Sequence, residues 1–349
     1  MNKDVILIVG SNGQLGTVLT EKLRLIYGTV NVIASDLYKK IGFEDNFITL
    51  DATDFKAVEE VVLKNKITQI YHLAAILSAK GEQNPLGTWD LNMKTLFNVL
   101  EVSRLHKVKK VFFPSSIAVF GENIDKENTL QSSNLTPTTV YGMSKVAGEN
   151  WANYYFKKYG LDVRSLRYPG VIGYQSLPGG GTTDYAVDIF YKAVKNEAFE
   201  CFLEASAMLP MMYIDDVIRA TLELMDADKE KITIRTSYNI AGMSFNPEQI
   251  ALSIKEYYPD FKIAYKPDFR QLIANSWPKC IDDTAARNDW NWKPEYNLNL
   301  MTKTMIENYE LAIKRRSKID NAEVVIPLKK LEFEEDSEDK KIDLAEHID

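Results

Sequence analysis

Residues 5–9, Val-Ile-Leu-Ile-Val, run straight into Gly10-Ser11-Asn12-Gly13-Gln14-Leu15-Gly16, and this join constrains the fold more than any other stretch. An unbroken aliphatic run without helical spacing predicts a strand buried on both faces, and residues 17–27 predict a helix. The glycines therefore sit at a strand-to-helix turn. There a missing side chain lets backbone approach a pyrophosphate, and the helix N-terminus offers free N–H groups and partial positive charge. This is a dinucleotide-binding fingerprint in its required context, with Gly10, Gly13, Gln14, Leu15 and Gly16 as candidate cofactor contacts. A second apolar run, residues 30–35, ends at Asp36, followed by Leu37. A carboxylate there accepts both hydroxyls of an adenosine ribose and repels the 2′-phosphate of NADP, which favours NAD. The plainer alternative is that Asp36 only caps a strand.

Further along, residues 47–51 predict a short strand ending at Asp51, and residues 54–64 a helix with Phe55, Val58, Val61 and Val62 apolar. Residues 69–75 read as the next strand and its exit. After Leu73, the small Ala74 and Ala75 let the chain pass close to a cofactor's pyrophosphate and ribose. His72, inside the strand, reads as a packed core residue rather than a catalyst. The following loop carries Ser78, either a pocket-lining hydroxyl or an exposed loop serine. A helix over residues 85–106 contains Asn92, which is unfavourable in a helix interior unless it bonds something. Residues 109–114 predict a fifth strand that delivers Ser115 and Ser116 at its carboxyl end, the edge outside which open α/β sheets bind ligands.

Tyr141 and Lys145 open the next helix four residues apart, so both reach one face of it. A phenol with an unperturbed pKa of about 10 is a poor base at neutral pH, and a nearby ammonium stabilises its phenolate. A serine hydroxyl from the 115/116 pair would orient a substrate's carbinol oxygen, with Ser116 as catalyst and Ser115 as its helper. Taken alone, Tyr-x-x-x-Lys is common by chance. Following a glycine turn, an Ala-Ala strand exit and a Ser-Ser strand exit in this order, it points to dinucleotide-dependent redox chemistry.

The Gly-x-x-Gly-x-x-Gly spacing, the apolar-Ala-Ala exit and the Ser/Tyr/Lys set resemble the extended short-chain dehydrogenase/reductase family. The resemblance implies an α/β fold, a Rossmann doubly wound parallel sheet with a smaller C-terminal substrate lobe. It implies adenine contacts at Asp51 and Ala52, a bracing or cofactor-side role for Asn92, and closure over the nicotinamide by Tyr168 and Val171. The second half is more specific. Arg167-Tyr168-Pro169-Gly170, the loop Pro178-Gly179-Gly180-Gly181-Thr182-Thr183-Asp184-Tyr185, Tyr213-Ile214-Asp215-Asp216, Asp268-Phe269-Arg270 and Ser276-Trp277-Pro278 resemble the short-chain-type L-threonine 3-dehydrogenases. By that likeness Ser78, Ser115, Ser116, Tyr141, Thr182, Thr183 and Trp277 are substrate-side residues, and the reaction is NAD-dependent oxidation of the L-threonine 3-hydroxyl. Helix capping by Thr182 or Thr183, with Asp184 in the first turn, is compatible with that role.

Domain organisation follows as an NAD-binding part over residues 1–172, a substrate lobe over 173–320 interleaved with the last Rossmann elements, and a charged tail over 321–349. Short strand-like runs are expected at residues 233–238 and 262–265. The net charge of −7 is concentrated in the tail, where ten Asp/Glu against four Lys leave only −1 for the body. No basic stripe suggests nucleic acid, and no apolar run approaches the roughly 18 residues of a membrane span. Two cysteines and three histidines are too few and scattered for a metal site. With its first strand at residue 5 leaving no room for a signal peptide, the chain is expected to be cytoplasmic, and family habit suggests a homodimer. The rivals are a nucleotide-sugar epimerase or dehydratase that retains NAD, and a non-catalytic NAD-sensing module.

Overall fold

In the computed structural model, which describes residues 4–39, 46–175 and 181–321, the predicted order of strands and helices closes around one parallel sheet. β1 (Ile6–Val9), α1 (Gln14–Tyr27), β2 (Val32–Asp36), β3 (Phe47–Thr49) and α2 (Phe55–Asn65) build one half. β4 (Gln69–His72), α3 (Ser78–Gly81), α4 (Pro85–Leu105), β5 (Lys110–Ser116), α5 (Val140–Tyr159) and β6 (Asp162–Tyr168) build the other. Strand order is β10-β6-β5-β4-β1-β2-β3, with β10 (Tyr238–Asn239) arriving late in the chain to pair with β6. The reversal between β1 and β4 makes the sheet doubly wound and opens a crevice at the carboxyl ends of those strands.

β1 lies inside the sheet, between β4 and β2, a place that requires burial on both faces. Ile6 and Ile8 pack into one core and Leu7 and Val9 into the other, as the period-two alternation of a strand requires. Each such side chain contributes about 1.5–3 kcal/mol by leaving water. α1 starts three residues earlier than the periodicity predicts, so the glycine turn feeds directly into its first turn. A 3₁₀ turn, Thr29–Asn31, occupies the front of the second apolar run.

The remaining elements are β7 (Gly170–Ile172), α6 (Tyr185–Val194), β8 (Phe199–Cys201), β9 (Leu209–Tyr213), α7 (Ile214–Asp226), β11 (Met243–Phe245), α8 (Pro247–Lys255), β12 (Ile263–Tyr265), α9 (Arg270–Ser276), α10 (Thr284–Trp290) and α11 (Leu298–Asn321). Their strands form two small sheets, β11-β9-β7 and β12-β8. The strand expected over residues 233–238 is reduced to β10. Residues 233–237 are instead irregular, bending at 235–236, and the Thr233 and Ile234 N–H groups donate to the Tyr238 hydroxyl. Contacts divide the chain into Met1–Glu310 and Leu311–Asp349. Residues 177–180 of the glycine-rich loop and 322–349 of the tail lie outside the described residues. Among the described residues, no helix is long and apolar enough to cross a membrane.

Candidate active site

The glycine turn is tight on two sides and open on the third. Gly10 has φ +91°, and a Cβ there would lie 2.7 Å from the Ala74 nitrogen. A Cβ on Gly16 would sit 2.3 Å from the Gly10 carbonyl oxygen, so α1 packs directly on the turn. Gly13 is different: its nearest neighbour would be 3.7 Å from a Cβ. Gly13 is also the N-cap of α1, and no side chain caps that helix. The buried Ser11 hydroxyl has no hydrogen-bond partner. Uncapped N–H groups, an orphaned hydroxyl and a bare glycine fit the pyrophosphate of a dinucleotide.

Asp36 ends β2 with its carboxylate already oriented, since the Asn12 and Leu37 N–H groups donate to it at 2.9 and 2.8 Å. Leu37 and Asp51 are exposed nearby in sequence and strand order, and Ala52 is buried with its carbonyl taking a bond from Asn98. Asp36, Leu37, Asp51, Ala52, Ala74 and Asn92 do not line the main cavity, which holds about 1050 Å³ including its open mouth. Asn92 is directed at backbone instead. Its amide accepts from Ile76 N at 2.8 Å and donates to Ile76 O at 3.2 Å, fixing the loop after β4.

At the other end of the cavity, β5 delivers Ser115 and Ser116. Ser116 then caps the 3₁₀ turn Ile117–Val119. α5 begins at Val140 under the Thr139 cap, and a Cβ on its Gly142 would stand 2.1 Å from the Ala118 carbonyl oxygen. That close approach sets the first turn of α5 against the end of β5. The Ser116 hydroxyl and the Tyr141 phenol consequently line the same cavity as neighbours. One turn on, Lys145 Nζ donates to the Pro114 carbonyl at 2.7 Å and lies 5.4 Å from the Tyr141 ring centroid.

The electrostatics depart from the sequence expectation that Lys145 holds the tyrosine pKa down. Burial pushes Tyr141 up to about 12, with only the neighbouring Ser116 hydroxyl opposing it. Burial pushes Lys145 down to about 7, opposed by the Glu149 carboxylate. Desolvation dominates both because the phenol and the amine share a low-dielectric wall. His72 is in the core as expected, its pKa lowered to about 3 by burial and by Lys145.

In the lining of the same cavity, Ser78 and Thr182 share a hydrogen bond at 3.3 Å, and both are buried. Thr183 packs beside Gly170, where a Cβ would lie 2.8 Å from its methyl carbon. Neither threonine caps α6. Asp184 occupies the N-cap and its carboxylate takes the Gly181 N–H at 2.7 Å, because the helix starts one residue later than the threonines could reach. Tyr168, Val171 and Trp277 also line the cavity, the first with its hydroxyl bonded to Thr221. Ser115 also lines the cavity, and its hydroxyl donates to Glu149 at 2.6 Å. Sequence reading passed over Glu149, although its spacing of four from Lys145 on the same helix was visible, and over Asp184 as a cavity residue.

Residues 6–241 match the NAD dependent epimerase/dehydratase family, more than half of the chain. The chain belongs to that family. This family member is 46% identical over 310 residues to an uncharacterized epimerase/dehydratase of Staphylococcus aureus, covering 87% of this chain and 96% of the other. It is also 51% identical to the holo form of a GalE-like L-threonine dehydrogenase from Cupriavidus necator, with a TM-score of 0.86 and coverage of 87% and 99%. A monomeric L-threonine 3-dehydrogenase from a metagenome is 45% identical in its apo form, with a TM-score of 0.86 and coverage of 88% and 99%.

Proposed function

We propose that this epimerase/dehydratase-family chain is an NAD-dependent L-threonine 3-dehydrogenase, oxidising the 3-hydroxyl to give L-2-amino-3-oxobutyrate. The observation that carries the reading is the convergence of Ser116, Tyr141 and the buried Lys145 on one cavity that Ser78 and Thr182 also line. Gly10, Gly13, Gln14, Leu15 and Gly16 hold the pyrophosphate, Asp36 the adenosine ribose, Leu37, Asp51 and Ala52 the adenine side, and Lys145 the nicotinamide ribose. NAD, when bound, supplies the two-electron acceptor. Tyr141 takes the proton of the substrate hydroxyl, Ser116 holds its oxygen, and the Lys145 ammonium stabilises the phenolate. Ser78, Thr182 and Thr183 bind the amino-acid end, and Trp277 shuts water out.

The cavity also bears on the nucleotide-sugar reading. Among the described residues that line it, the charged side chains are Lys145 and Asp184, with no arginine to neutralise a sugar diphosphate. The test is absorbance of reduced nicotinamide with NAD and each of L-threonine, D-threonine, L-allo-threonine and L-serine. Reduction with L-threonine in preference to the others is the expected result; NAD retained through purification with no reduction by any of them overturns it.

We further assign the protein to the cytoplasm as a homodimer. Trp151, Tyr154 and Tyr159 on α5 leave aromatic surface exposed, with Trp151 and Tyr154 edge to face at 5.5 Å and Tyr154 and Tyr159 at 5.9 Å. Aromatics in such a patch favour a protein contact over solvent. Trp151→Glu combined with Tyr154→Glu is expected to convert a dimer to a monomer in sedimentation velocity. A wild-type chain that already sediments as a monomer rules the dimer out.

A further inference from the structure

Tyr141, Lys145 and Glu149 recur every four residues on α5 and so share a face. Glu149 is 1% exposed, yet it carries three bonds. Arg167 donates to it twice, at 2.9 and 2.8 Å, and the Ser115 hydroxyl once, at 2.6 Å. Arg167 continues to the Gln131 carbonyl at 3.2 Å and the Asn239 side-chain oxygen at 3.1 Å. Asn239 in turn donates to the carbonyls of Thr129 and Asp282. One hydrogen-bonded strut thus joins α5, the end of β5, β6, β10 and the segment that follows Trp277. A buried ion pair is a weak source of net stability compared with apolar packing, so stability is a poor reason for this one to be here.

We propose that Glu149 is a positioning residue for the oxidation, holding the end of β5 that presents Ser116 and keeping Lys145 charged inside the cavity. This rests on the roles given above to Ser116, Tyr141 and Lys145. Lys145 faces the Tyr141 ring on its own helix, the Phe113 ring and Pro114 carbonyl on β5, and neutral His72 on β4; Asp184 lines the same cavity. Burial works against its ammonium, and the Glu149 carboxylate is the neighbour that works for it. Arg167 neutralises the carboxylate's remaining charge, which lets a glutamate stand in the core beneath the site.

Glu149→Gln removes the charge but strands a buried guanidinium, so the double variant Glu149→Gln/Arg167→Met accompanies it as the form with both partners removed. Turnover of L-threonine is followed from about pH 6 to about pH 10, with thermal unfolding of the ligand-free protein over the same range. In both variants the alkaline limb of kcat, where the Lys145 ammonium is lost, is expected to move to lower pH by about one unit, with KM for L-threonine within about threefold. The rise of unfolding temperature with pH is expected to begin correspondingly lower. A uniform loss of activity at every pH that follows the change in unfolding temperature, or an unshifted profile, overturns the proposal. The unfolding curves need no substrate, so absence of threonine oxidation in the wild type would remove the dehydrogenase reading while still testing the coupling of Glu149 to Lys145.

Discussion

Tyr141→Phe is expected to lower turnover of L-threonine by about 10²–10⁴-fold, the range over which a positioned general base acts, with affinity for NAD little changed. The substitution removes one oxygen and leaves the ring beside Lys145, so the wall of the cavity keeps its shape. The loss falls on kcat because the proton is transferred in the transition state and not in the ground state. Burial holds the phenol at about 12 in the ligand-free cavity, so it is protonated at neutral pH. Wild-type turnover is accordingly expected to rise with pH on the acid side of the Lys145 titration, as the phenolate fraction grows, and the phenylalanine variant to lack that rise. Initial rates by reduced-nicotinamide absorbance, paired with fluorescence titration of NAD, check both halves. Near-wild-type turnover in the variant would remove Tyr141 from the reaction.

The elements that were legible in sequence are those whose signal is local. The strand at residues 5–9, the glycine turn and the helix after it follow from an uninterrupted aliphatic run and from turn chemistry, and β1 takes an interior place in the sheet for that reason. Tyr141 and Lys145 were legible because four residues make one helix face. What the sequence hid depends on partners distant along the chain. The Ser115 hydroxyl turns to Glu149 because Arg167, from a neighbouring strand, holds that carboxylate beneath it. Thr182 meets Ser78, so it is unavailable as a cap and Asp184 takes the position. Residues 233–237 carry β-branched and aromatic neighbours that suit a strand, but the Tyr238 hydroxyl binds their N–H groups and leaves only Tyr238–Asn239 to pair with β6. The direction of the pKa shifts was hidden for the same reason. Spacing places an amine near a phenol but says nothing of how little water reaches either.

Lys145→Met separates what Lys145 does for the reaction from what its burial does to the fold. Its pKa is lowered to about 7 in the folded protein by desolvation, against about 10.5 in an unfolded chain. Between those values the unfolded chain binds a proton that the folded chain does not, so stability of the ligand-free protein rises with pH across this window. At and below the folded pKa the full penalty of a buried ammonium is present. Methionine of similar length removes the charge and keeps the packing against Phe113, so the variant is expected to unfold at higher temperature than the wild type at neutral pH, and to lose most of the rise between about pH 7 and about pH 10. Turnover is expected to fall by at least about 10²-fold, since the amine proposed to hold the nicotinamide ribose beside Tyr141 is gone. Differential scanning calorimetry of both proteins across that range, with matched rate measurements, tests the two effects together. A variant less stable than wild type at neutral pH would show that the Pro114 carbonyl and Glu149 compensate the buried charge more fully than burial penalises it. A gain in stability joined to a loss of turnover would identify Lys145 as a residue kept for its chemistry at a cost to the fold.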